Sequence, residues 1–255
     1  VKRSRSVTSC LAVAIILTAL LRGEANPLDG ESLVKAAMNY YRGNASVALV
    51  HMTIHRPNWE RNMTIKGWTR GQKDSIFTII SPPKDEGNGT LKIGREMWTY
   101  NPKINRVIKL PPSMMSQSWM GSDFSNNDLA KSDSILEDYT HTIEGTETHQ
   151  GKQVYLIKSM PKPEAPVVWG MQRMKVREDH ILLSEEFYDE DFELVKSLTG
   201  ERIQMLGGKL FPRIWKMRKA GVADEYTLLD YKELEFKEKL PESLFTLSSL
   251  KKPRR

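Results

Sequence analysis

Two histidines stand four residues apart in His51-Met52-Thr53-Ile54-His55. On a helix that spacing would aim both imidazoles at one metal ion. Apolar and polar residues alternate here, so the segment reads as a strand, and at ~3.3 Å per residue the two rings lie about 13 Å apart. A shared metal ion is excluded at that distance, leaving solvated or partly packed imidazoles. His141 and His149, in and beside a hairpin, offer no better spacing. Asp189, Glu190 and Asp191 lack the alternating ligands of a calcium loop and read as an acidic hairpin tip. Met120-Gly121-Ser122-Asp123 does not match a nucleophile elbow, and no strand-to-helix context surrounds it. Leu206-Gly207-Gly208-Lys209 has no following helix to present its amides to a phosphate. No catalytic signature or cofactor site emerges, and the expectation is a protein that is not an enzyme.

What the sequence does carry is a surplus of soft apolar side chains in an unusual place. Met97–Leu129 opens with two short strand-like pieces, Met97–Tyr100 and Arg106–Leu110, joined at Asn101-Pro102-Lys103. Pro111-Pro112 then ends the sheet, because proline lacks the N–H that a ladder needs. The connection that follows holds Met114, Met115, Trp119, Met120 and Phe124 among Ser, Gln, Gly and Asn. Five large apolar groups in a connection must bury against something, cover something or bind something. The segment reads as a flexible apolar flap beside a β-sheet.

Elements to support such a flap surround it. Residues 27–43 have a helical period, with Leu33, Ala36, Ala37 and Tyr40 on one face. From Ala45 the period becomes two. Met52 and Ile54, then Met63 and Ile65, then Phe77 and Ile79 face one way along three strands of a meander. After the flap, Asp128–Leu136 reads as a short helix and Tyr139–Glu147 with Gln153–Met160 as a hairpin. Trp169 and Met171 begin a strand over Val167–Arg177. Further strands are expected at Ile181–Asp189, Phe192–Leu198, Ile203–Leu206, Arg213–Arg218 and Glu225–Lys232. The total is on the order of eleven strands, which predicts an all-β sandwich or barrel.

The chain has 12 methionines, and several of them, such as Met52, Met63, Met171, Met174 and Met217, lie in expected strands. Methionine fills irregular space and accepts varied partners, which suits either an ordinary β-core or a cavity for flexible chains. The flap favours the cavity, since small barrels hold ligands in their mouths. Its expected lining is Met52, Ile54, Met63, Ile65, Phe77, Trp98 and Tyr100 on one side. Trp169, Met171, Trp215 and Met217 form the other, and the five flap residues the cover. On this reading Trp119→Asp or Met115→Asp weakens ligand retention and leaves the fold intact.

Lys2, Arg3 and Arg5 precede the apolar run Cys10–Leu21, and Gly23-Glu24-Ala25 offers small residues for cleavage, so residues 1–25 read as a secretory signal peptide. About a dozen apolar residues fall short of the roughly 20 that span a membrane. Removing the segment takes away the single cysteine and lowers the net charge from +6 to +3. Thiol chemistry is thereby excluded from the mature chain, and the remaining charge gives little support for a nucleic-acid partner. Residues 26–255 show no break in composition and read as one domain. Asn44, Asn62 and Asn88 sit in glycosylation triplets too common to decide the compartment.

Several short pieces, in consistent order over nearly all of residues 26–255, carry a family resemblance. They are Met97-Trp98-Thr99-Tyr100-Asn101-Pro102, Leu110-Pro111-Pro112-Ser113-Met114-Met115 and Gly121-Ser122-Asp123-Phe124-Ser125-Asn126, then Glu186-Phe187-Tyr188-Asp189, Pro212-Arg213-Ile214-Trp215-Lys216-Met217 and Leu244-Phe245-Thr246. The chain resembles the periplasmic outer-membrane lipoprotein-sorting family, the LolA-like carriers. The resemblance implies a mainly β fold: a half-open, curved antiparallel sheet, or incomplete barrel, with helices covering its concave face. It further implies an apolar cavity for the acyl chains of a lipoprotein or another envelope lipid, no cofactor, and transfer between an inner-membrane exporter and an outer-membrane acceptor. Residues 114–129 and the N-terminal helix become covers, and an arginine latching the cover has Arg70 and Arg106 as candidates. The alternative is a periplasmic sensing domain that uses the same lipid-binding fold to regulate a membrane signalling protein. An outer-membrane barrel is disfavoured because strands such as Arg61–Arg70 are too charged to face lipid.

Overall fold

The computed structural model describes residue 1 and residues 29–252. The expected signal peptide, the start of the expected helix at Pro27 and residues 253–255 lie outside the described residues. Helix α1 (Gly30–Arg42) begins where the Asp29 carboxylate accepts from the Ser32 N–H at 2.6 Å. It ends at Gly43, whose φ of 61° stops the helix while its N–H still reaches the Asn39 carbonyl. Acidic Glu31 in the first turn and basic Arg42 in the last suit the helix dipole. Leu33, Val34, Ala37 and Met38 form its buried stripe.

The strands are β1 (Ala45–Arg56), β2 (Trp59–Arg70), β3 (Asp74–Ser81), β4 (Gly89–Ile93), β5 (Glu96–Asn101), β6 (Arg106–Lys109), β7 (Tyr139–His149), β8 (Lys152–Pro161), β9 (Met171–Arg177), β10 (Leu182–Tyr188), β11 (Leu194–Leu206), β12 (Lys209–Lys219) and β13 (Tyr226–Lys237). All thirteen belong to one sheet in the order β6-β5-β4-β3-β2-β1-β13-β12-β11-β10-β9-β8-β7, antiparallel throughout. The expected all-β class stands, but the strands exceed eleven and the sheet does not close into a barrel. Ile203–Leu206 is not a separate strand. The ladder between β11 and β12 keeps its register past Arg202, which adopts a φ of 54° without breaking the strand. Gly207 and Gly208, both at positive φ, then make a two-residue hairpin turn. Trp169 also lies outside its expected strand, because β9 starts at Met171.

The order leaves β6 and β7 as the two edges, and they are consecutive in sequence. Residues 110–138 therefore connect one edge of the sheet to the other. That topology explains the apolar connection: it must travel across a face of the sheet. It contains α2 (Asn126–Ala130) and α3 (Ser134–Glu137). The sheet curls beneath it. Residues of β3 and β10 line the same cavity although six inter-strand steps separate them, about 29 Å in a flat sheet. The opposite, convex face is covered by the chain end. Leu244, Phe245 and Leu250, the last in α4 (Leu247–Lys251), pack on Trp68, Ile76, Leu91 and Tyr100.

Candidate functional site

A cavity of about 250 Å³ lies between the concave face and its cover. The sheet contributes Val50, Ile65, Phe77, Leu198, Met217 and Leu229, and the cover contributes Trp119, Phe124 and Leu129. Met38 and Tyr41 close it from α1. Period-two alternation puts these strand residues on one face.

The crossing segment is tied down rather than loose. The Trp119 N–H donates to the Phe124 carbonyl at 2.7 Å, and Ser118 and Ser125 form a β-bridge. Met120 at φ 53° and Gly121 at φ 78° make the tight return between them. Ser125 and Asp128 then cap α2 reciprocally, each side chain bound to the other's N–H. Trp119 anchors the segment: its indole N–H donates to Thr90 Oγ1 at 3.0 Å and its ring meets Phe77 edge-on at 5.6 Å.

Among the basic residues that fasten this segment to the sheet are Arg56 and Lys196, and neither is Arg70 or Arg106. Arg56 binds both carboxylate oxygens of Asp123, at 2.9 and 3.2 Å. The Asp123 side chain is fully buried, and Thr227 completes its hydrogen bonding by donating to Oδ2 at 2.7 Å. Lys196 pairs with Asp128 from β11. Arg70 instead pairs with Asp74 and lies over the Phe245 ring near the chain end, while Arg106 is exposed on the edge strand.

The structure brings together only part of the expected lining. Ile65, Phe77, Trp119, Phe124, Trp169 and Met217 face the cavity. Met52, Ile54 and Met63 are sealed in a cluster under Trp119, with Met120 against its side. Trp98 and Tyr100 sit on the convex face, because in β5 it is Met97 that points inward. Met114 and Met115 pack on Met97, Leu110 and Ala130 at the edge. Trp215 is buried among α1 contacts, and Met171 is buried without reaching the cavity. The chemistry-bearing histidines have local roles. His141 bridges Ser159 and the Ile135 carbonyl at 2.8 Å each, and His55 stacks on Tyr226. Asp189 accepts from the Asp191 and Glu193 N–H groups and so builds the acidic turn.

A polar end of the cavity was not legible as a site. Asp128 from α2 and Glu185 from β10 both line it, beside Trp169 and Phe187. Protein surrounds the Glu185 carboxyl apart from the void itself. Burial, reinforced by Asp128 and opposed by Lys196, pushes its pKa up to about 7. Lys196 is held 4.9 Å from the Trp169 ring centroid and 5.3 Å from that of Phe187. The available signal was alternation: Glu185 shares a face with Phe187, and Lys196 shares one with Leu198. Across the sheet, Tyr41 and Tyr231 join α1 to β13 by a 3.1 Å hydroxyl contact, and burial raises the Tyr231 pKa well above its ordinary value.

This curled, covered, open sheet is the LolA-like fold. A LolA superfamily protein from Nitrosomonas europaea superposes with a TM-score of 0.71 at 21% identity, covering 87% of this chain and 99% of that one. A DUF1329 family protein from Desulfovibrio piger gives 0.75 at 22%, covering 87% and 99%. A domain from Vibrio parahaemolyticus named for outer membrane lipoprotein sorting gives 0.73 at 22%, covering 87% and 98%. No curated protein matches the chain. The chain belongs to the family whose model, described as "-like: Uncharacterized protein", matches residues 71–252.

Proposed function

We propose that the protein is a periplasmic carrier that holds the acyl chains of a lipoprotein or envelope lipid for transfer towards the outer membrane. The observation that carries this reading is the apolar cavity closed on one side by the crossing segment and on another by α1. The segment 1–25 would direct export, and residues 26–255 would act as one lipid-binding domain. Among the described residues no helix is long and apolar enough to cross a membrane.

The physics of such a site is simple. Each buried methylene contributes about 0.8 kcal/mol, so a long chain binds without polar contacts. The partly enclosed cavity, at about 250 Å³, is smaller than the ~300–1,000 Å³ of pockets for drug-sized ligands. A full acyl chain therefore needs the cover to yield, and loading and release become events of the cover. A partner that opens it, or offers a better apolar site, shifts the equilibrium. An inner-membrane exporter would supply the chain and an outer-membrane acceptor would take it.

The test is mass spectrometry of an organic extract from detergent-free protein purified from envelope fractions. A stoichiometric lipid or acylated peptide is expected, and its absence, even after incubation with envelope extract, overturns the carrier reading. Trp119 and Met115 then separate cavity from edge. Trp119→Ala removes the indole beside the cavity and is expected to lower lipid occupancy several-fold. Met115→Ala, at the edge cluster, leaves occupancy near that of the parent. Equal occupancy in the two variants would mean that the segment is ordinary packing.

A further inference from the structure

The polar end of the cavity has an unbalanced charge. Two carboxylates, Asp128 and Glu185, line it, and one ammonium, Lys196, answers them. Lys196 and the Ser125 N–H both bind Oδ2 of Asp128. Oδ1 of Asp128 has no hydrogen-bond partner among the described residues, although the side chain is only 8% exposed. Glu185 feels Lys196 through space but receives no hydrogen bond from a described residue. A buried acceptor without a donor is unfavourable, and Asp128 Oδ1, with the Glu185 carboxyl facing the same void, marks a place for a shared donor. Trp169 and Phe187 line the same end, and Lys196 already lies over both rings.

We propose that this end is a headgroup subsite for an amphiphile whose polar group is a protonated amine. The proposal rests on the carrier reading and narrows its ligand. The hydrocarbon lies along Ile65, Phe77 and Leu229, and the ammonium donates to Glu185 and to the free oxygen of Asp128. An ammonium brings several donors and the one positive charge that the two carboxylates and Lys196 lack. An alcohol satisfies one acceptor and leaves the charge, and a carboxylate adds to it. Arg42 and Lys131 also line the cavity, from the last turn of α1 and the residue after α2. Lys131 is already engaged by the Pro166 carbonyl, and Arg42 lies beside the Tyr41 ring.

The experiment compares dodecylamine, dodecanol and dodecanoate by isothermal titration calorimetry at pH 8, below their aggregation limits. Delipidated full-length mature protein is used, with Glu185→Gln beside it. The amine is expected to bind about tenfold or more tighter than the alcohol, the worth of one hydrogen bond to a charged group. In Glu185→Gln the ratio of amine to alcohol affinity falls towards one. The ranking in the parent protein decides the matter even if the variant does not fold. Alcohol binding equal to amine binding, or dodecanoate binding tightest through Arg42 and Lys131, overturns the subsite and leaves the carrier reading standing. Failure of all three to bind overturns both.

Discussion

Arg56→Ala is expected to lower stability by about 3–5 kcal/mol, because it leaves a buried carboxylate without its cation. Arg56 is the bidentate partner of Asp123, whose side chain has no exposed surface, and it also donates to the His55 carbonyl at 2.7 Å. The loss is directed at the cover. Asp123 lies between Trp119 and the cap of α2, so releasing it frees the turn that Met120 and Gly121 make. Arg61→Ala is the control: it touches the same turn through the Met120 carbonyl at 3.3 Å, but its side chain is 32% exposed. Its effect should stay within about 1 kcal/mol. Urea midpoints give the stabilities, and hydrogen exchange at the Trp119, Ser122 and Asn126 amides reports the cover directly. Similar exchange in the two variants would show that Arg56 does not hold the cover.

The β class, the meander at the start and the cover were legible because each rests on local signals. Alternation identifies a strand's two faces, and five apolar groups after Pro111-Pro112 identify a connection that must be buried. Strand boundaries were less legible, because alternation cannot tell that a strand continues when an unusual residue such as Arg202 is absorbed without loss of register, so β11 read as two pieces. Which face is inside was the harder question. Trp98 and Tyr100 share a face just as Met97 and Thr99 do, and both faces of β5 are covered. The sequence reading took the aromatic pair, whereas the chain end covers that face and the cover takes the other. The latch was missed for a related reason. Asp123 meets Arg56 only because the connection from β6 recrosses the sheet to β1, a pairing 67 residues apart that no local pattern encodes. Glu185 was not legible as a site, since alternation puts it on the face of Phe187 without saying that this face is enclosed.

That enclosure has a consequence for stability that separates Glu185 from the other acids. Its pKa in the folded protein is pushed up to about 7 from the ordinary 4.5 of a glutamate, with burial the main cause. The folded state therefore holds a proton that the unfolded chain releases between these values. Stability from this group is fully present below about pH 4.5 and is lost as pH rises through 7. A separation of that size corresponds to about 3 kcal/mol. Glu185→Gln removes the titrating group and keeps the shape, so it should match the parent at pH 4 and exceed it by about 3 kcal/mol at pH 8. Urea denaturation at both pH values measures the difference. A constant offset between the two proteins across the range would mean that Glu185 is solvated, and the cavity end would then have no buried charge for a ligand to neutralise. With the expected crossover, an ammonium ligand should stabilise the parent more at pH 8 than at pH 5, since at pH 8 it meets the ionised carboxylate that folding alone leaves without a hydrogen-bond donor.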